Sequence, residues 1–161
     1  MIKVPVRLAL GSNLGDREGN LDQACKLIEE LLLSEMSSSP IHETEPVGPP
    51  QGRYLNQILS GVCSMQPQEA LQMCLGIEKQ MGRERIEPWG PRIIDIDILT
   101  YGEEHVSENS LRIPHPRLAE RSFVLAPWAD LEADFVVPVH GRSVAELLNA
   151  LPTSVNGSAG C

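Results

Sequence analysis

The chain has little positive charge and no long apolar run. Thirteen Lys and Arg stand against twenty-two Asp and Glu, a net charge of −9 over 161 residues. A protein that grips nucleic-acid backbones needs a basic face, so this balance argues against that class of partner. No stretch approaches the roughly 20 apolar residues that cross a bilayer, and the first residues lack a secretory-signal layout. No membrane partner and a cytoplasmic location are therefore expected. The four cysteines, Cys25, Cys63, Cys74 and Cys161, show neither C-x-x-C nor zinc spacing, and three fall inside apolar patterns. They read as reduced small hydrophobes. Without internal repeats, the chain reads as a single domain over residues 1–151, with a flexible tail over 152–161.

What the chain does have is concentrated in Trp89 to Leu99, which reads W-G-P-R-I-I-D-I-D-I-L. Ile94, Ile96 and Ile98 take one parity; Asp95 and Asp97 take the other, flanked by Ile93 and Leu99. That is strand alternation. Side chains two apart on a strand share a face, with Cα atoms about 6.6 Å apart, so one face carries two negative charges. Acids are scarce in strand interiors, and like charges so placed repel unless a cation neutralises them. Magnesium takes carboxylate oxygens together with substrate phosphates, and a metal pair is the usual device for in-line displacement at phosphorus. Arg92 adds a guanidinium suited to phosphate. The plainer alternative is an exposed edge strand with a solvated acidic face. Lys79, Arg83, Arg85, Arg92, Arg112, Arg117 and Arg121 are seven of the thirteen cations, enough for a local phosphate clamp in an acidic protein.

Around this stretch the pattern alternates between strand and helix. Val6, Leu8 and Leu10 share one face of a strand, with Pro5 marking a strand start or an edge. Gly11 to Asp16 reads as a turn ending in a helix N-cap, and Leu21, Ala24, Cys25, Ile28, Leu31 and Leu32 recur at helical spacing. Strand, Gly-rich turn and helix invite a phosphate-loop reading, but G-x-x-x-x-G-K-[ST] is not met, and a tight structural turn is the better reading. Residues 40–52, rich in Pro and Gly, read as a long surface loop, either a binding loop or disordered. Tyr54 to Met65 reads as a strand whose Asn56 is either buried against partners or solvent-facing at its entrance. A helix from Pro67 to Gly82 carries the stripe Leu71, Cys74, Leu75, Glu78 and Met81, and Glu78 there requires a partner or a rim position. Tyr101 to His105 reads as a turn and Leu111 to Ile113 as a short strand. His115 lies between prolines in the same segment as Arg121, and Val144, Leu147 and Leu148 mark a last helix.

Two long motifs in order, Trp89-Gly90-Pro91-Arg92 with Asp95-Ile96-Asp97-Ile98, and Ile113-Pro114-His115-Pro116-Arg117 with Arg121, Phe123, Val124 and Leu125, carry a resemblance. Leu10 to Asp16, Glu43 to Gly48, Tyr54-Leu55-Asn56, and Glu78 ahead of Gly82-Arg83 extend it over nearly the whole chain. The sequence resembles the 6-hydroxymethyl-7,8-dihydropterin pyrophosphokinase family of folate biosynthesis. The resemblance implies an α+β ferredoxin-like sandwich, with helices packed on one face of a mainly antiparallel sheet. It implies transfer of pyrophosphate from ATP to the hydroxymethyl group of the dihydropterin, with AMP as the other product, by a protein expected to be a monomer.

By position, the resemblance assigns two Mg²⁺ ions to Asp95 and Asp97, and the phosphates to Arg83, Arg92, His115 and Arg121. Arg85 and Trp89 belong to a loop that closes over the site, and Glu78, Ile98, Leu111 and Arg112 match nucleoside contacts. Tyr54 and Phe123 match the rings that sandwich the pterin, where offset stacking is favourable. Thr44, Pro46, Val47 and Asn56 would meet its amide edge, with Trp89 and Asp95 also beside it. Pro88 and Gly52-Arg53 depart from the usual pattern, which bears on triphosphate capture and on the pterin loop. The metal and phosphate residues alone would also permit a metal-dependent phosphohydrolase, and the scaffold alone a non-catalytic nucleotide or pterin-binding module.

Overall fold

A computed structural model describes residues 2–44, 53–82 and 93–152. The main strands are β1 (Val4–Ser12), β2 (Ser34–Ser38), β3 (His42–Thr44), β4 (Tyr54–Cys63) and β5 (Asp95–Tyr101). Two short pairs follow, β6 (Val106–Ser107) with β7 (Arg112–Ile113), and β8 (Val136–Val137) with β9 (Arg142–Ser143). The helices are α1 (Arg17–Leu31), α2 (Pro67–Gln80), α3 (Ser122–Glu132) and α4 (Val144–Asn149).

The sheet runs β2-β4-β1-β5, every pair antiparallel, and β3 joins the edge of β4 beyond β2. β1 is therefore central, and Pro5 marks its start and not an edge. The strand also runs further than the glycine pattern implies. Gly11 and Ser12, expected in a turn, remain paired with Asn56 and Leu55, because a backbone hydrogen-bonded on both sides outweighs the turn preference of Gly-Ser. The tight turn itself occupies Asn13 to Asp16, and Gly15 takes φ 73° there.

Each face of the sheet has its own apolar cluster. Leu8, Leu10, Ile96 and Ile98 meet Leu21, Ala24 and Ile28 of α1 and Ala70, Cys74 and Ile77 of α2. Ala9, Ile58 and Leu99 on the other face meet Leu125 and Trp128 of α3 and Val144 and Leu147 of α4. The expected sandwich is thus α1 and α2 on one face, with the C-terminal pieces added on the other. Local chemistry starts the helices as expected. The Asp16 carboxylate accepts the Gly19 amide at 3.1 Å, Pro67 opens α2, and Gly82 follows it at φ 92°.

Two expectations are corrected, one on α2 and one at β3. Leu75 is 37% exposed, while Ala70, Cys74, Ile77 and Glu78 of α2 are buried, because the small Ala70 and Cys74 let the helix approach the sheet on that side. His42–Thr44 forms a strand inside the segment expected as loop, since β4 outruns β2 and its edge backbone takes β3 as partner. Helix α3 runs through Pro127, and the burial of Val124, Leu125 and Trp128 compensates for the hydrogen bond that proline lacks. Cys63 and Cys74 are buried free thiols and Cys25 is half-buried, as the apolar patterns require. Burial, with Glu78 and Asp97 adding to it, pushes the Cys74 thiol up to about 12. Among the described residues no helix is long and apolar enough to cross a membrane.

Candidate active site

The candidate residues meet at the C-terminal end of β1. Asn56 and Asp95 lie opposite Gly11 on its two sides, and Ile58 and Asp97 lie opposite Ala9. Opposed residues of antiparallel strands share a face, so Asn56, Asp95 and Asp97 rise from the same side of the sheet. β3 extends this row, pairing His42 with Asn56 and Thr44 with Tyr54. Only the width of β1 separates Asn56 from Asp95, two strand spacings or roughly 10 Å, a gap that a flat bicyclic ligand can bridge.

Gly11 keeps that gap open. A Cβ there would stand 3.3 Å from Tyr54 Cδ1 and 3.5 Å from Asn56 Oδ1. Gly11, expected in a turn, stands inside a strand, where a glycine is itself a signal of close approach. Asn56 is 5% exposed, and its Nδ2 donates to Thr44 Oγ1 at 2.7 Å, so of its two readings the buried one holds. β3 is held to α3 by His42 Nε2 and Asp130 Oδ2, 2.6 Å apart.

The start of α3 supplies the cationic side. Arg121 occupies the N-cap position and Phe123 the first turn, with the Arg121 guanidinium carbon 5.5 Å from the ring centre. His115 is tied to β5 by its amide, which donates to the Leu99 carbonyl at 2.9 Å. The Arg117 amide donates to His115 Nδ1 at 3.2 Å, which leaves the ring proton on Nε2. Burial first, then the Arg121 and Arg117 charges, lower the His115 pKa to about 4. The ring is therefore a neutral donor near neutrality.

Asp95 and Asp97 are half-buried on edge strand β5, so the acidic face is not simply solvated. Ile96, between them, directs its amide outward, and Glu78 Oε2 accepts it at 2.7 Å. Glu78 is 3% exposed. Two carboxylates on one face, beside a glycine and an alanine, form a hard-oxygen donor set. That set fits magnesium, which takes one or two carboxylates along with phosphates and water. Among the described residues no group of three or more His, Cys, Asp or Glu is placed to enclose an ion without such help.

The structure therefore brings together Thr44, Tyr54, Asn56, Asp95 and Asp97, with His115, Arg121 and Phe123 entering from the α3 side. Ile98 and Leu111 lie apart from these, buried in the cluster on the opposite face, and Arg112 is exposed on β7. Glu78 meets the outer edge of β5 at the Ile96 amide and β7 lies against β5, which pairs with no strand but β1 among the described residues. Pro46, Val47, Arg83, Arg85, Trp89 and Arg92 lie outside the described residues, as do Gly52, Pro88 and all of the tail beyond residue 152.

Residues 7–133 match the family model described as 7,8-dihydro-6-hydroxymethylpterin-pyrophosphokinase. The chain is 43% identical over 126 residues to the 2-amino-4-hydroxy-6-hydroxymethyldihydropteridine pyrophosphokinase of Bacillus subtilis, covering 77% of this chain and 75% of that protein. It is 44% identical over 128 residues to a folate synthesis bifunctional protein of Arabidopsis thaliana, covering 78% of this chain but 26% of that protein. The fold is similar to wild-type Plasmodium falciparum HPPK-DHPS solved with pteroate, with a TM-score of 0.74 at 15% identity, over 92% of this chain and 42% of that one.

Proposed function

Because the chain belongs to the 7,8-dihydro-6-hydroxymethylpterin-pyrophosphokinase family, we propose that it transfers the pyrophosphoryl group of ATP to 6-hydroxymethyl-7,8-dihydropterin in folate biosynthesis. The hydroxymethyl oxygen attacks the β-phosphorus, and the bond from that phosphorus to the oxygen bridging it to the α-phosphate breaks. AMP leaves with that oxygen, and the hydroxyl proton is released. The observation that carries the residue assignments is the row Asn56, Gly11, Asp95 on one sheet face. It sets a buried amide and an acidic pair one ligand's length apart.

The pterin lies across Gly11. Asn56 and Thr44, with the neighbouring Pro46 and Val47, take its amide edge, and Tyr54 and Phe123 sandwich its rings. Its hydroxymethyl arm reaches Asp95, with Trp89 also beside it. Asp95 and Asp97 would hold magnesium, as two ions, which when bound neutralises triphosphate charge and acidifies the attacking hydroxyl. Arg83, Arg92 and Arg121 hold the phosphates by fixed charge, and His115 donates from Nε2, so charge moving toward AMP meets donors already in place. The nucleoside lies along the outer edge of β5, near Glu78, Ile98, Leu111 and Arg112, with Arg85 over it. No side chain needs to be a strong base, since alignment of hydroxyl and phosphorus supplies much of the rate.

The reading takes the protein as a monomer acting in the cytoplasm, through a single domain over residues 1–151. Incubation with ATP, Mg²⁺ and the hydroxymethyl dihydropterin should yield AMP and the pterin diphosphate together. AMP formed without pterin would make the protein a phosphohydrolase, and binding without AMP would make it a non-catalytic module.

A further inference from the structure

Arg17 stands at the start of α1, in none of the groups assigned so far, yet it joins the two chain segments that present the pterin-facing residues. Its Nη1 donates to Glu43 Oε2 at 2.8 Å and to the Arg53 carbonyl, also at 2.8 Å. Glu43 immediately precedes Thr44 on β3, and Arg53 immediately precedes Tyr54 on β4. One guanidinium nitrogen thus bridges the residues on either side of the 45–52 segment.

The base from which Arg17 reaches is itself held. The Asp16 carboxylate caps α1 on the Gly19 amide at 3.1 Å. Asn20 Nδ2 donates to Ser12 Oγ at 3.2 Å and to the Leu14 carbonyl at 2.8 Å, binding the first turn of α1 to the end of β1. Since Gly11 precedes Ser12, the helix start, the open gap over β1 and the two ligand-bearing strands become one unit. Arg17 is half-buried and Glu43 is exposed, so the ion pair by itself contributes little to global stability. Its effect lies in restricting how Thr44 moves relative to Tyr54 and Asn56, whose amide already donates to Thr44.

We propose that Arg17 is a positioning residue for the pterin, acting through the Glu43 carboxylate and the Arg53 backbone to hold Thr44, Tyr54 and Asn56 in binding register. This rests on the pterin-pocket reading of those three residues. The contact at position 53 is to a carbonyl, so it does not depend on which side chain stands there. A Lys at 17 retains a charged donor able to meet both oxygens, whereas Ala retains none.

Steady-state kinetics of the full chain, with each substrate varied in turn, test it alongside thermal midpoints. Arg17→Ala should raise the pterin KM about tenfold, the size expected for one charge-assisted hydrogen bond. KM for ATP and kcat should stay within about twofold, as for a surface change remote from the chemistry. Arg17→Lys should recover most of the loss, and neither variant should melt appreciably lower. An unchanged pterin KM in Arg17→Ala would overturn the assignment. So would an equal rise for both substrates with a lowered midpoint, the mark of general loosening. Wild-type protein that made no pterin-dependent AMP would instead defeat the parent reading, and this one with it.

Discussion

Glu78 on α2 accepts the amide of Ile96 on β5 at 2.7 Å, and Ile96 is the residue between the two aspartates of the site. An edge strand has outward amides with no strand to receive them, and a buried one without an acceptor is costly. The helix supplies that acceptor and so fixes the segment from which Asp95 and Asp97 project. Glu78→Ala should lower unfolding free energy by about 1–3 kcal/mol, the cost of an orphaned buried donor. Glu78→Gln, which retains an accepting oxygen, should lose less. Denaturant titration compares them, and an alanine variant as stable as wild type would show that the strand does not depend on this bond.

Gly11 makes a second prediction through space it leaves vacant. A methyl there meets the Tyr54 ring at 3.3 Å, tighter than ordinary contact, so the ring must shift by a few tenths of an ångström. Gly11→Ala should raise the pterin KM by about tenfold, in line with modest overpacking. KM for ATP should change little. Equal effects on both substrates would show that the ring does not face the pterin.

Asp97 lies on the same face as Asp95, opposite Ala9 of β1. Asp97→Ala should cut kcat by about 10²- to 10³-fold, comparable to removing one preorganised electrostatic group. Affinity for pterin should fall far less, because Tyr54, Asn56 and Thr44 are untouched. A kcat unchanged at saturating Mg²⁺ and ATP would remove Asp97 from the chemistry.

His115 should titrate abnormally. Its ring signals, followed by NMR in the protein without substrates, should move with a midpoint near pH 4, against an ordinary value of 6.5. The unfolded chain takes up this proton first as pH falls, so stability is lost between about 6.5 and about 4 and fully retained above that window. His115→Gln should accordingly lose less stability than wild type between neutral pH and pH 4.5. A midpoint near 6.5 would mean that neither burial nor the Arg121 and Arg117 charges reach the ring.

Much of this protein was legible in its sequence because much of it is local. The alternation at Ile94 to Leu99 places Asp95 and Asp97 on one face whatever lies beside them, since strand period is a property of consecutive residues. Asp16, Pro67 and Gly82 delimit helices through contacts or backbone angles within a few residues, and the long motifs at Trp89 and Ile113 identify the family. What those acids face was decided by tertiary structure. Asn56 and Asp95 flank Gly11 because three strands distant in sequence pair in one register, which no single strand specifies. The rotation that buries Ala70 and Ile77 and exposes Leu75, the meeting of Glu78 with Ile96, and the reach of Arg17 to Glu43 and Arg53 arise in the same way. Each depends on how whole elements dock, and docking is set by the summed packing of residues far apart along the chain.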